Sequence, residues 1–276
     1  MADMTSTVPG VRLNNGVTIP QFGFGVFQIP PEDTANAVRT ALDAGYRHID
    51  TAQMYRNEEG VGEGIRGVPR EEVFVTTKLA NDAHGHDNAI TALEGSLQRL
   101  GTDYVDLYLI HWPRPAHGRY TETWLAFEEI LKAGKARAIG VSNFQPAHLD
   151  DIREAGPAPA VNQIELHPYL QQRELSEYHR EHSIATEAWS PIAQGEVLGD
   201  PVLADLAGAH GKTPAQVVLR WHIQLGNIVF PKSSTPERVR ENIDIFDFEL
   251  GEDEMTAVEK LDRGHRTGPD PDTFEG

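Results

Sequence analysis

Cysteine is missing from all 276 residues, so neither a disulfide framework nor thiolate chemistry is available. Basic residues are scarce as well. The 24 Lys and Arg stand against 42 Asp and Glu, a formal net charge of −18. A phosphate backbone or an anionic bilayer needs the opposite sign, so nucleic acid and membranes are not expected partners. No apolar run comes near the roughly 20 residues of a membrane span. The opening Met1-Ala2-Asp3-Met4-Thr5 lacks the basic and apolar stretches of a secretory leader. These absences point to a cytoplasmic chain, with a small molecule as partner and a monomer as the default.

What is present is an alternation of two patterns. A short hairpin is predicted first, from Val11-Arg12-Leu13 through a turn at Asn14-Asn15-Gly16 to Val17-Thr18-Ile19. Eight strand-like runs follow: Gly23 to Phe27, Arg47 to Ile49, Val73 to Thr77, Val105 to Ile110, Ala136 to Val141, Ala160 to Ile164, Ile184 to Ala188 and Ile228 to Pro231. Most are apolar nearly throughout, as parallel strands covered on both faces must be. Helical patterns lie between them. Asp33 to Ala44 ends at Gly45, Asn88 to Leu100 ends at Gly101, and Thr213 caps Pro214 to Gln224. Asp205 to His210 and Glu252 to Leu261 read as helices outside the repeat, and the segment from Gly264 as a surface loop. Eight β-α units in this length predict an α/β fold, a (β/α)8 TIM barrel forming one domain over residues 1–276.

Barrel active sites lie at the C-terminal strand ends. Asp50 ends the second run, with Tyr55 on the loop after it, and Lys78 and His111 end the third and fourth. Ser142 and Asn143 end the fifth, Gln163 lies near the end of the sixth, Trp189 follows the seventh, and Lys232 and Ser233 the eighth. These types suit reduction of a carbonyl. Hydride reaching the carbon leaves negative charge on oxygen, which then needs a proton. A phenol with a pKa near 10 is a slow donor at neutral pH. An adjacent ammonium stabilises the phenolate, a carboxylate holds the ammonium, and an imidazole orients the carbonyl. Taken singly, Asp50 reads equally well as a helix cap and Tyr55 or His111 as a packed ring. Lys78 is different, because an ammonium ending an apolar strand is buried at a cost unless it is paired. Convergence of all four on one rim is what favours catalysis.

Several stretches resemble the aldo-keto reductase family. They are Gly45-Tyr46-Arg47-His48-Ile49-Asp50-Thr51-Ala52 with Tyr55, Thr77-Lys78-Leu79, and Asp106-Leu107-Tyr108-Leu109-Ile110-His111-Trp112-Pro113. Gly140 to Phe144, Asn162 to Pro168 and Pro231-Lys232-Ser233 continue the likeness, which spans about residues 10 to 262 in order. Within the family the chain is most similar to bacterial 2,5-diketo-D-gluconate reductases. The resemblance implies Asp50, Tyr55, Lys78 and His111 as a catalytic tetrad. It implies Trp189 stacked on a nicotinamide whose carboxamide meets Ser142, Asn143 and Gln163. The diphosphate would lie under Ser190, Pro191, Ile192, Gln194 and Gly195. A 2′-phosphate would meet Lys232, Ser233 and Arg238, with Glu241 and Asn242 near the adenine. The expected activity is NADPH-dependent reduction of an aldehyde or ketone, the alternative a non-catalytic NADPH-binding sensor.

The residues agree with a cofactor site of non-Rossmann type. Gly23-Phe24-Gly25 has Gln28 where a third glycine belongs, and Gly60, Gly62 and Gly64 follow no strand. Lys232 and Arg238 put two cations near a helix N-terminus, favourable for phosphate, although both also read as solvated helix-end charges. Thr235 stands where related chains often carry Arg, which softens the preference for NADPH. His84-Gly85-His86 has no third ligand in view, so no metal is expected. Phe27, Ala80 and Trp112 are the substrate-pocket candidates, Phe27 and Trp112 reading equally as rim packing. Ala80 replaces a Trp common in the family, which implies a wider pocket admitting bulkier carbonyls. Ala80→Trp is therefore expected to shift preference toward small carbonyls. An unchanged ranking of bulky and small substrates in a steady-state screen would remove Ala80 from the pocket.

Overall fold

The computed structural model describes residues 8–275. The Met1 to Thr5 stretch lies outside them. An antiparallel hairpin opens the chain, β1 (Gly10–Arg12) with β2 (Thr18–Pro20), turning at Gly16 with φ 87°. Eight strands follow: β3 (Phe24–Gly25), β4 (His48–Asp50), β5 (Phe74–Leu79), β6 (Val105–Ile110), β7 (Ala136–Ser142), β8 (Val161–Glu165), β9 (Ala185–Trp189) and β10 (Ile228–Val229). All neighbouring pairs are parallel and in sequence order. A parallel bridge between Phe22 and Val229, with Gly23 N donating to Val229 O at 2.7 Å, brings the first strand back to the last. The result is a nearly closed (β/α)8 barrel.

Ten helices surround it among the described residues. They are α1 (Pro31–Asp43), α2 (Glu58–Ile65), α3 (His86–Leu100), α4 (Tyr120–Lys132), α5 (Pro146–Ala155), α6 (Arg173–Glu181), α7 (Pro201–His210), α8 (Pro214–Gln224), α9 (Pro236–Ile243) and α10 (Glu252–Glu259). As expected, α7 and α10 stand outside the repeat. Proline opens α1, α5, α7, α8 and α9, where its missing N–H has no helical acceptor to lose. The predicted cap at Thr213 is a full capping box with Gln216. None of these helices is long and apolar enough to cross a membrane.

α2 was not anticipated, because three glycines in eight residues weaken a helix. They are there for close approach. A Cβ at Gly62 would lie 2.3 Å from the Leu100 carbonyl oxygen, and one at Gly64 2.6 Å from Val38 Cβ. α2 is thereby laid flat against α1 and the end of α3.

Period-2 alternation sends every second side chain into the barrel. Leu13 and Ile19 of the hairpin join Phe74, Leu107, Leu109, Ala138, Val161 and Ile228 in one apolar cluster. This plugs the N-terminal end. Above the plug the same alternation places polar groups inside: His48, Thr76, Gln163 and Glu187, then Asp50 and Lys78. The second apolar cluster lies between the strands and the helices, around Trp124, Phe127, Tyr108, Trp221 and Phe22.

Candidate active site

Lys78 is fully buried, and its ammonium is satisfied within the barrel. Nζ lies 2.6 Å from Asp50 Oδ1 and donates to the Thr51 carbonyl at 2.9 Å. An unpaired ammonium at this depth would cost several kcal/mol, roughly the penalty known for broken buried pairs. Burial pulls the Lys78 pKa down, but Asp50 and Tyr55 outweigh it and hold it above the usual lysine value.

Tyr55 sits on one 3₁₀ turn, Gln53–Tyr55, ended by Arg56 in the left-handed region at φ 56°. The turn brings the ring centroid to 5.1 Å from Lys78 Nζ, 5.7 Å from the His111 ring and 4.9 Å from Phe27. Burial raises the Tyr55 pKa, Lys78 opposes it and Asp50 adds to it, leaving the phenol above its usual value. The expected pull of Lys78 is thus present, but desolvation is larger. Burial and the Lys78 charge hold His111 well below its usual pKa, so its imidazole is neutral at neutral pH.

Beside this group lies a chain of amides and hydroxyls. Ser142 Oγ donates to the Gln163 main-chain carbonyl at 2.8 Å, and Asn143 Nδ2 to the His111 carbonyl at 3.0 Å. Asn143, with φ 66°, accepts from Trp189 Nε1 at 2.8 Å. Gln163 Nε2 donates to both Asp50 Oδ2, at 2.8 Å, and Glu187 Oε2, at 2.9 Å. The predicted residues Ser142, Asn143, Gln163 and Trp189 are therefore one connected wall against the tetrad.

After β9 the backbone turns through left-handed φ at Ser190, Ala193, Gln194 and Gly195. The loop closes on itself there, Ala193 N donating to Ser190 O and Gly195 N to Ile192 O, each at 2.8 Å. Lys232 and Arg238 are exposed, flank the start of α9, and have no ion-pair partner among the described residues. Two such cations in an acidic chain, next to a helix N-terminus, suit a phosphate. Ser233 is buried beside them and accepts from Thr235 N at 3.1 Å. Glu241 is engaged elsewhere, accepting from Thr213 Oγ1 at 2.9 Å, and Asn242 is buried.

Residues 21–263 match the model of the Aldo/keto reductase family. The chain belongs to the aldo/keto reductase family. An aldo-keto reductase of Mycolicibacterium smegmatis is 56% identical over 269 residues, 96% of this chain and 98% of that protein. A protein named methylglyoxal reductase DkgA, from Escherichia coli K12, is 50% identical over 271 residues, covering 96% and 98% respectively. Among solved structures, a mutant of Gox0644 in complex with NADPH superposes with a TM-score of 0.94 at 49% identity, covering 97% of this chain and 98% of that one. A Bombyx mori aldo-keto reductase in complex with NADP gives 0.89 at 38% identity, with 96% of each chain covered.

This reductase closes part of its mouth with a segment that composition marked only as a loop. Phe274 packs on Trp112 at 4.4 Å, and Trp112 reaches Trp189 at 6.4 Å. Glu165 anchors the segment by accepting from Thr267 N at 2.6 Å, Thr267 Oγ1 at 2.5 Å and Gly268 N at 3.2 Å. Burial pushes Glu165 up, but those bonds and His167 outweigh it and hold the carboxyl below its usual range. Gly268 is required here, since a Cβ would stand 2.4 Å from the Trp189 ring. Phe27 is 53% exposed, free to meet a ligand, whereas Ala80 is only 6% exposed, its methyl covered by neighbours. Phe274 and Glu187 lie outside the quoted motifs, and Glu165 lies inside one of them without its contact to Thr267 and Gly268 being legible there.

The buried imidazoles set a pH dependence. Burial lowers His48, His179 and His222 to about 3 from a usual 6.5, and His111 moves the same way. Folded values below unfolded ones mean that the unfolded chain takes up these protons more readily. Their contribution is present above pH 6.5 and lost as pH falls toward 3. Unfolding free energy in urea should therefore decline between pH 6.5 and pH 5, by up to about 1.4 kcal/mol per pH unit for each histidine. A flat profile across that window would mean the imidazoles are charged in the native state.

Proposed function

We propose that this aldo/keto reductase reduces an aldehyde or ketone to an alcohol with NADPH, Tyr55 serving as the general acid. The observation that carries the reading is the buried Lys78 ammonium, paired with Asp50 and lying beneath the Tyr55 ring. The NADPH and NADP complexes of its structural relatives support the cofactor, as do the free cations at α9. Lys232, Ser233 and Arg238 would hold the 2′-phosphate, Ser190 to Gly195 the diphosphate, and Ser142, Asn143, Gln163 and Trp189 the nicotinamide. When bound, the reduced cofactor supplies a hydride to the carbonyl carbon.

The remaining work belongs to the chain. Neutral His111 orients the carbonyl oxygen toward Tyr55. Tyr55 gives its proton to that oxygen as negative charge develops there. Lys78 stabilises the phenolate left behind, offsetting part of the desolvation that otherwise keeps the phenol protonated. Asp50 fixes Lys78 in place. Phe27, Trp112 and Phe274 supply the apolar walls for the substrate. On this reading the chain works as one domain, as a monomer, in the cytoplasm. A Schiff base on Lys78 is disfavoured, because its ammonium is fully buried and already engaged by Asp50 and Thr51.

Two substitutions test the assignment. Tyr55→Phe should lower kcat by about 10²–10⁴, the usual worth of a positioned acid, with NADPH affinity nearly unchanged in fluorescence titration. Near-normal turnover would exclude Tyr55 as the donor. Lys232→Gly should raise Kd for NADPH far more than for NADH, and equal weakening of the two would move the 2′-phosphate away from α9.

A further inference from the structure

The tetrad uses one of the two carboxyl groups that meet the Gln163 amide. The other, Glu187, lies inside β9 with no exposure, one layer below Asp50. Gln163 Nε2 has two hydrogens, and both are committed, one to Asp50 Oδ2 and one to Glu187 Oε2. The ionised Asp50 can only accept, and this sets the nitrogen end of the amide downward. The carbonyl end is turned away from both carboxyl groups, and Gln163 Oε1 has no hydrogen-bond partner among the described residues. An amide held by Asp50 alone would keep one point of attachment and could rotate about its Cγ–Cδ bond.

We infer that Glu187 is a positioning residue for the cofactor: it locks the Gln163 amide with its nitrogen down, so that the Gln163 carbonyl oxygen is presented to the N–H of the nicotinamide carboxamide. This rests on the reading of Gln163 as a carboxamide partner. The surroundings fit the task. Burial and the neighbouring Asp50 push Glu187 up to about 8, so at neutral pH it is a neutral acid. A neutral carboxyl can accept from the amide through Oε2 without competing with Asp50 for the Lys78 charge. Its other oxygen, Oε1, lies 3.7 Å from Nε2 of His48, which burial keeps neutral as well. Asp50 and His48 on β4, Lys78 on β5 and Gln163 on β8 are the polar groups that face it. A second ionised carboxylate here would set two negative charges against one ammonium.

The test compares binding of NADPH with binding of its 3-acetylpyridine analogue, which has no carboxamide N–H for Gln163 to accept. Dissociation constants are read by fluorescence quenching, without turnover. Glu187→Leu should raise Kd for NADPH about fivefold, the worth of one hydrogen bond, and leave the analogue within about twofold. Glu187→Gln, which keeps an acceptor oxygen in reach, should recover most of that loss. Gln163→Leu should show the same selective loss as Glu187→Leu, and the double variant no more than either. If Glu187→Leu does not fold, Glu187→Thr, too short to reach the amide, takes its place. Equal weakening of both cofactors by the position-187 variant, or no weakening, with Gln163→Leu still selective, overturns the role of Glu187 and leaves that of Gln163 standing. Loss of selectivity in Gln163→Leu itself overturns both.

Discussion

The Asp50–Lys78 ion pair is the constraint around which the upper half of the barrel is organised. The ammonium cannot be left alone at this depth, and the carboxylate cannot either. Each satisfies the other at 2.6 Å, and the remaining valences reach outward to the Thr51 carbonyl and the Gln163 amide. A charge held so firmly in a dry interior acts over a longer range than one in water. It is felt by Tyr55, by His111, by His48 and by Glu187. The acid–base properties of the site are therefore collective and cannot be assigned to one side chain.

The interior of this barrel has an uneven composition as a result. Barrel cores are ordinarily filled by branched apolar layers. Here that holds for the lower layer, where the hairpin plug meets Leu107, Leu109 and Val161. The middle layer is polar, and each member leans on another: His48 on Thr76 at 3.1 Å, Gln163 on two carboxyl groups. Such networks are stable only when nearly all members are satisfied. One consequence follows for the strands: no slip of register is tolerated, since a shift by one residue would send Asp50, Lys78, Gln163 and Glu187 outward together.

All eight barrel strands were legible because parallel strands are short apolar runs with turn residues at their ends. Strand β6 matches its predicted span, Val105 to Ile110, and the others differ at their ends. The meeting of Asp50, Lys78 and His111 was legible because their strands end in polar residues whose chemistry is complementary, with Tyr55 on the turn that follows the first of them. α2 was not, since its three glycines argue against a helix until the closeness of Val38 and Leu100 is known. The start of α7 was missed too: Asp200 caps it from its own side chain, so it begins at Pro201, four residues before the Asp205 read as its start. Glu187 was hidden for a different reason. It sits within a run read as an ordinary strand, and its meaning depends on Asp50 and Gln163, which are far away in sequence. The contact of Glu165 with Thr267 and Gly268 spans about a hundred residues and leaves no local pattern.

The anchored tail has a practical side. Its last described residue, Glu275, is tied to His117 at 2.9 Å, next to Phe274 and the Trp112 wall. The hairpin, by contrast, seals the opposite pole. Chain added beyond Glu275 would therefore start beside Trp112 and the Tyr55 end of the barrel.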